Sequence, residues 1–218
     1  MRNKILTGLL TAAAFIAATP AAATVQVNFT SSGDIANNNN FKSPELSGLG
    51  LADITTSVTS LVLTEDSFIQ FEFLGSESGF SDNFSVGANM LYQENSTGII
   101  NQFGAPVMLG GEIFYLAGNI TDLLFGSTNG GTSAMVGQSG FGVLLADGTE
   151  SGSSTNVFYL DYDDQITGPD DDNHDDIIIR ATVRSAVPEP GTWAMMLLGF
   201  GTVGFAMRKR ARGVLQAA

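Results

Sequence analysis

The 218-residue chain contains no cysteine. Disulfides are thereby excluded, as are a thiol nucleophile and thiolate metal ligands, so the fold is held by its core, with or without bound metal. Positive charge is scarce away from the ends. Of nine Lys and Arg residues, Arg2 and Lys4 open the chain, Arg208, Lys209, Arg210 and Arg212 lie near its end, and only Lys42, Arg180 and Arg184 fall between. All 22 acidic residues lie in that middle stretch, so residues 24–189 carry three basic against 22 acidic side chains, a net charge of −19. A surface of that sign does not bind nucleic acid, whose phosphates need cations. It favours solubility and attracts divalent cations.

Catalytic signatures are also missing. There is one histidine, His174, and no His-Glu-x-x-His pair, phosphate loop or dinucleotide fingerprint. Gly75-Ser76-Glu77-Ser78-Gly79 has the glycine spacing of a nucleophile elbow, but Glu77 holds the nucleophile's place. The sole tryptophan, Trp193, lies near the C-terminus, so the middle of the chain has no Trp platform of the kind sugar-binding faces use.

What is present begins at the two ends. Arg2 and Lys4, an uncharged apolar stretch from Ile5 to about Ala18, and Thr19-Pro20-Ala21-Ala22-Ala23 make the three parts of a secretory signal peptide. Residues 1–23 are expected to be removed by signal peptidase, with Thr24 as the mature N-terminus. Near the other end, Pro188-Glu189-Pro190-Gly191-Thr192-Trp193-Ala194 precedes an uncharged, Gly-containing run to Met207 and then the basic residues of 208–212. A transmembrane helix over about 192–207 is expected, with Trp193 at the outer interface and the basic cluster as the cytoplasmic stop. Trp193–Met207 alone covers about 23 Å at 1.5 Å per residue, a thin span that snorkelling by the basic residues lengthens.

The motif, apolar run and basic end of 187–212 together resemble the PEP-CTERM sorting signal of Gram-negative bacteria, in the variant Pro-Glu-Pro-x-x-Trp-Ala. The residues that carry the likeness are Pro188, Glu189, Pro190, Trp193 and Ala194, with Gly199-Phe200-Gly201 and the Arg-rich end. The resemblance implies recognition by an exosortase, a membrane-embedded cysteine transpeptidase that cuts near the motif. It also implies an inner-membrane-anchored intermediate and a destination at the cell surface or in an exopolysaccharide-containing matrix. The prolines flanking Glu189 fit this role physically, because they hold the strip extended and out of the helix.

Residues 24–186 read as one all-β domain. Strand-like runs recur between turn signals: Thr24–Thr30, Ile54–Thr64, Ser67–Leu74, Phe84–Tyr92, Glu112–Leu116, Phe141–Leu145, Thr155–Tyr162 and Ile177–Val183. Asn37–Asn40 reads as a polar loop, and Ile120–Phe125 as one short helical turn. Many short strands without a long 3.6-period segment predict an antiparallel β-sandwich of jelly-roll type. Phe68, Phe71, Phe73 and Phe84 are expected in its core.

The one candidate site is the segment Asp161–Asp176, which holds eight of the 22 acidic residues and reads as a connecting loop, either cation-binding or simply solvated. Crowded carboxylates repel unless cations screen them, and an Asp/Asn loop offers the hard oxygens that Ca²⁺ accepts. Asp170, Asp172, Asp175 and Asp176 are the expected ligands, with Asp161 and Asp163 beside them on one strand face. No EF-hand is present: the sixth-position Gly is missing, and Ala181 stands where the twelfth-position Glu belongs. The segment also resembles an Asp-rich stretch found in other surface proteins with this sorting tail. His174 is expected to be a polar loop residue or an auxiliary ligand. Tyr162, beside the acidic run, is the tyrosine best placed for sugar contact, and Glu72 with Glu112 is the carboxylate pair to weigh for hydrolysis.

The function expected from these readings is that of an exported, non-enzymatic structural or adhesive component of the surface or matrix. A carbohydrate-binding module is the second reading and a secreted hydrolase the third.

Overall fold

The structure, a computed structural model, describes residues 22–94, 103–128, 131–166, 173–186 and 190–215. The expected signal peptide therefore lies outside the described residues, except for Ala22 and Ala23. Residues 22–187 form one compact unit, and the C-terminal helix belongs to another.

In chain order the strands are β1 (Val25–Phe29), β2 (Gly33–Asp34), β3 (Asp53–Thr55), β4 (Val58–Leu63), β5 (Ser67–Gly75), β6 (Ser81–Val86), β7 (Asn89–Gln93) and β8 (Val107–Met108). They continue with β9 (Ile113–Tyr115), β10 (Gly118–Ile120), β11 (Leu123–Thr128), β12 (Ala134–Met135), β13 (Phe141–Leu145), β14 (Ser153–Thr155), β15 (Val157–Tyr162) and β16 (Ile177–Ser185). Every pairing among the described residues is antiparallel. The all-β class is as expected. The strands divide into three ladders, with orders β10-β4-β1-β14, β12-β11-β6-β7 and β2-β3-β13-β15-β16-β5-β8, and β9 joins the last on β5.

Alternation explains which faces turn inward. In β1 Val25 and Val27 are buried while Gln26 and Asn28 are only partly so, and in β5 Ile69 and Phe71 are fully buried. The main core takes residues from all three ladders, among them Val25, Leu61, Phe71, Phe84, Phe125, Phe141, Leu160 and Ile179. Aromatic rings link the second and third ladders: Phe71 to Phe84 at 5.3 Å, Phe84 to Phe125 at 5.1 Å, and Phe125 stacked on Tyr162 at 5.0 Å and 8°.

Two runs break the alternation because the third ladder is covered on both faces. All five residues of Phe141–Leu145 are buried, as are Ile177, Ile178 and Ile179. Phe141, Val143, Ile177 and Ile179 enter the main core. Leu144 and Ile178 point the other way, into a second core with Ile35, Phe41, Leu46, Leu51 and Leu74. The segment between β2 and β3, with a short helical turn at Lys42–Leu46, supplies that cover. Continuous apolar runs are the pattern expected of strands buried on both sides.

Three expectations are corrected. Ile120–Phe125 is not a helical turn: Ile120 ends β10 and Leu123 begins β11, both β-bonded. The Phe84–Tyr92 strand is two, β6 and β7, folded back at Gly87, whose φ of +56° suits a residue without a Cβ. Phe68 is not core: it sits edge-on to Phe114 at 5.5 Å, with the Arg184 guanidinium 4.4 Å from its ring centre.

The second unit contributes one helix, α1 (Pro190–Leu215). Its Trp193, Met195 and Phe200 side chains are exposed. The uncharged stretch ends at Met207, and Arg208, Lys209, Arg210 and Arg212 continue the same helix. Among the described residues no helix is long and apolar enough to cross a membrane.

Candidate cation site

The described part of the acidic segment is largely buried. Of its described residues, Asp161, Asp163, Asp164, Asn173, His174 and Asp175 are all buried. It is pinned on one side by the Asn37–Asn40 segment. Asn39 Nδ2 donates to Asn173 O at 2.9 Å, Asn173 Nδ2 donates to Asn38 O at 3.3 Å, and Asn40 N donates to Asp175 Oδ2 at 2.6 Å. Glu77 N, from the turn after β5, donates to Asp175 O at 2.9 Å.

The four expected ligands among the described residues, Asp161, Asp163, Asp175 and Asp176, do not converge on one point. Asp161 and Asp163 do share a side, as alternation requires, and they flank His174: Nδ1 lies 3.4 Å from Asp161 Oδ1 and Nε2 3.9 Å from Asp163 Oδ2. His174 is a polar loop residue, as expected, but a buried one between carboxylates, and its φ of +55° marks a sharp turn. Burial pushes the Asp161 carboxyl up, with His174 drawing it partly back. Asp175 turns to Asn40. Asp170 and Asp172 lie outside the described residues.

Of the expected ligands among the described residues, Asp176 alone joins a carboxylate cluster, with two residues that sequence reasoning missed. One oxygen each from Asp82, Asp164 and Asp176 lies within 4.8 Å of the others. Asp82 is the second residue of β6, Asp164 follows β15, and Asp176 precedes β16. Backbone bonds hold the three segments. Asp164 N donates to Asp176 Oδ2 at 2.7 Å and Asp176 N to Tyr162 O at 3.2 Å. Thr132 N and Oγ1 both donate to Asp164 O, at 2.7 and 2.9 Å. Ser78 Oγ donates to Asp164 Oδ2 at 2.8 Å.

Asp82 lies in phase with Phe84 and Val86 on the inward face of β6, opposite Ser127 of β11. That phase was the available signal: an Asp two residues before an inward Phe in a β-run points inward too. Glu94, just past β7, stands beside it. Glu94 N donates to Asp82 O at 2.8 Å, and Asp82 N to Glu94 Oε2 at 3.3 Å.

Desolvation dominates the electrostatics here. Burial raises the Asp82 carboxyl, against the pull of the nearby Ser127 and Ser78 hydroxyls. Burial, then the Asp164 charge, pushes Asp176 up to about 10. Glu94 is raised by burial as well. Three carboxylates this close favour either retained protons or a bound cation.

The remaining candidates fall elsewhere. Glu72 accepts from Arg180 Nε at 2.7 Å, and Glu112 pairs with Arg184, so each carboxylate is matched to its own arginine on β16. Tyr162 is not a sugar contact: it is fully buried against Phe125, and its hydroxyl donates to Thr132 O.

In the sorting strip, Pro188 and Glu189 lie outside the described residues, while Pro190, Trp193, Ala194 and the basic positions through Arg212 lie in α1. No curated protein and no solved structure matches the chain. Residues 186–211 match the family model of the PEP-CTERM protein-sorting motif. This motif indicates an exported protein that an exosortase sorts toward the cell surface. The chain thus carries a PEP-CTERM protein-sorting motif over residues 186–211.

Proposed function

We propose that the β domain is a structural or adhesive component of the cell surface or extracellular matrix, delivered there by exosortase processing of its tail. The sorting motif at residues 186–211 carries this reading. In it, a signal peptide over 1–23 starts export and the stretch of about 192–207 holds the chain in the inner membrane until the cut. The body is taken as an antiparallel sandwich of jelly-roll type. Support for adhesion comes from an exposed apolar strip along the strands that edge β5: Val107, Met108, Phe114 and Leu116 are each at least half exposed. Exposed apolar side chains grouped at a sheet edge suit contact with a partner.

A second reading, binding of exopolysaccharide, is favoured by a cleft of about 580 Å³ between Leu49–Leu51 and strands β13–β15. Phe158, Tyr159, Glu150 and Ser153–Thr155 are among its lining residues, giving two aromatic rings and several polar groups.

The test is the mature protein recovered from producing cells. The expected product is found at the surface or in the matrix, with a new N-terminus at Thr24 and a C-terminus near Pro188–Pro190. Full-length chain in the cytosol would overturn the reading. Binding to purified matrix polysaccharide that is lost when Tyr159 and Glu150 are replaced by Ala would favour the second reading.

A further inference from the structure

Asp82 is wholly buried, and neither of its side-chain oxygens accepts a hydrogen bond of normal geometry. A buried carboxylate without such bonds is unfavourable unless something else satisfies it. Its side chain points between the second and third ladders, where oxygens of Asp164 and Asp176 come within 4.8 Å.

Among the described residues no basic side chain pairs with Asp82. Lys42 Nζ donates to Ile35 O and Asn37 Oδ1, Arg180 is bound to Glu72, and Arg184 to Glu112. His174 faces Asp161 and Asp163. Those four are all the basic side chains between Thr24 and Glu189.

We propose that Asp82, Asp164 and Asp176 are the ligands of one hard divalent cation, calcium foremost, which clips β6 to the two ends of the β15–β16 connection. The donor set is oxygen only, without thiolate, which selects calcium-class ions over zinc or copper. Calcium bonds of about 2.3–2.6 Å allow ligand oxygens up to about 5 Å apart, in keeping with the observed spread. Glu94 adds a further buried carboxylate, one oxygen of which accepts no hydrogen bond. Asp176 keeps partial contact with solvent and gives the ion its way in.

The backbone is drawn close around this point. A Cβ on Gly131 would fall 2.2 Å from Ser127 Oγ and 3.1 Å from Asp164 Cβ, so only glycine lets that strand of chain pass. In a chain without disulfides, such a clip joins segments far apart in sequence. Binding therefore stabilises the folded state directly.

This inference goes beyond the sorting reading and is decided on purified protein, whatever becomes of the tail in cells. The full chain, purified in mild detergent and stripped with EDTA, is titrated with CaCl₂ by calorimetry and melted with and without the ion. The expected result is one Ca²⁺ per chain and a raised melting temperature. Asp82→Asn and Asp176→Asn are each expected to weaken affinity on the order of tenfold or more, because affinity follows ligand charge. Both variants should keep a cooperative melt. Asp163→Asn, on the His174 side, is expected to change affinity less than about twofold by the same rule. Absence of heat and of any melting shift at about 10 mM Ca²⁺, above the weakest extracellular sites, would overturn the proposal. So would binding that survives Asp82→Asn and Asp176→Asn but is lost in Asp163→Asn, since the ion would then lie between Asp161, Asp163 and His174.

Discussion

Gly142 faces Asp161 across the β13–β15 pair, and a Cβ built on Gly142 would stand 1.7 Å from Asp161 Oδ1. The carboxylate occupies the space that a side chain at 142 would need. This explains a glycine in the middle of Phe141–Leu145, an otherwise apolar buried strand.

Gly142→Ala is expected to destabilise the fold by about 1–3 kcal/mol, the usual cost of overpacking a filled interior. Adding Asp161→Ala should recover part of that loss, because the two residues contend for one space. Denaturation midpoints of the single and double variants check this. Strict additivity would refute the link.

The pH dependence has a definite sign. Asp82, Asp161 and Asp176 all have folded carboxyl pKa values above the ordinary range, with Asp176 at about 10. In the metal-free protein the folded state keeps protons that the unfolded chain releases near pH 4. Stability from these groups is thus complete below about pH 4 and lost as pH rises toward 10. Melting temperature in EDTA should fall steadily between pH 5 and 9, and millimolar Ca²⁺ should flatten the fall by replacing the protons. A level or rising profile in EDTA would contradict the assignment.

Phe125 links both ladders, stacking on Tyr162 and meeting Phe84 and Phe141. Phe125→Ala should cost about 3–5 kcal/mol through the cavity it leaves. Tyr162→Phe removes only the hydrogen bond to Thr132 O and should cost about 1 kcal/mol. Urea melts of the two variants should differ in that order.

The two arginines of β16 are predicted to differ. Arg180 and Glu72 are 28% and 15% exposed, and Arg180→Ala should cost about 1 kcal/mol, near the upper end for an ion pair with solvent access. Arg184 and Glu112 are more open, so their pair should weaken first as salt is added. Thermal melts at low and high ionic strength separate the two.

Much of the β domain was legible in the residues. Alternation located β1 and β5, and the apolar runs located β13 and β16. The two-residue strands β2, β8 and β12 carry no period, because two residues cannot alternate detectably. Ile120–Phe125 misled because Asp122 and its neighbours look like one amphipathic turn, whereas their backbones bond across to β4 and β6.

The site was half legible. The acidic segment drew attention to Asp176 among the first four expected ligands, while the same-face logic added Asp161 and Asp163, which the fold gives to His174. Asp164 lies one residue out of that phase, which turns it toward the other ladder. Asp82 is a lone acid in a Ser/Asn-rich strand, and its neighbours come from distant parts of the chain, so local composition does not mark it.

The position of β16 bears on the order of events during export. It is the last strand among the described residues, yet it runs between β15 and β5 in the interior of the largest ladder. Its final rung, Ser185 opposite Ser67, lies three residues before the Pro-Glu-Pro strip. The centre of the largest ladder therefore waits on a segment made later than every strand it pairs with. On the proposed reading, a tail that delays release gives this late strand time to dock before the body is set free.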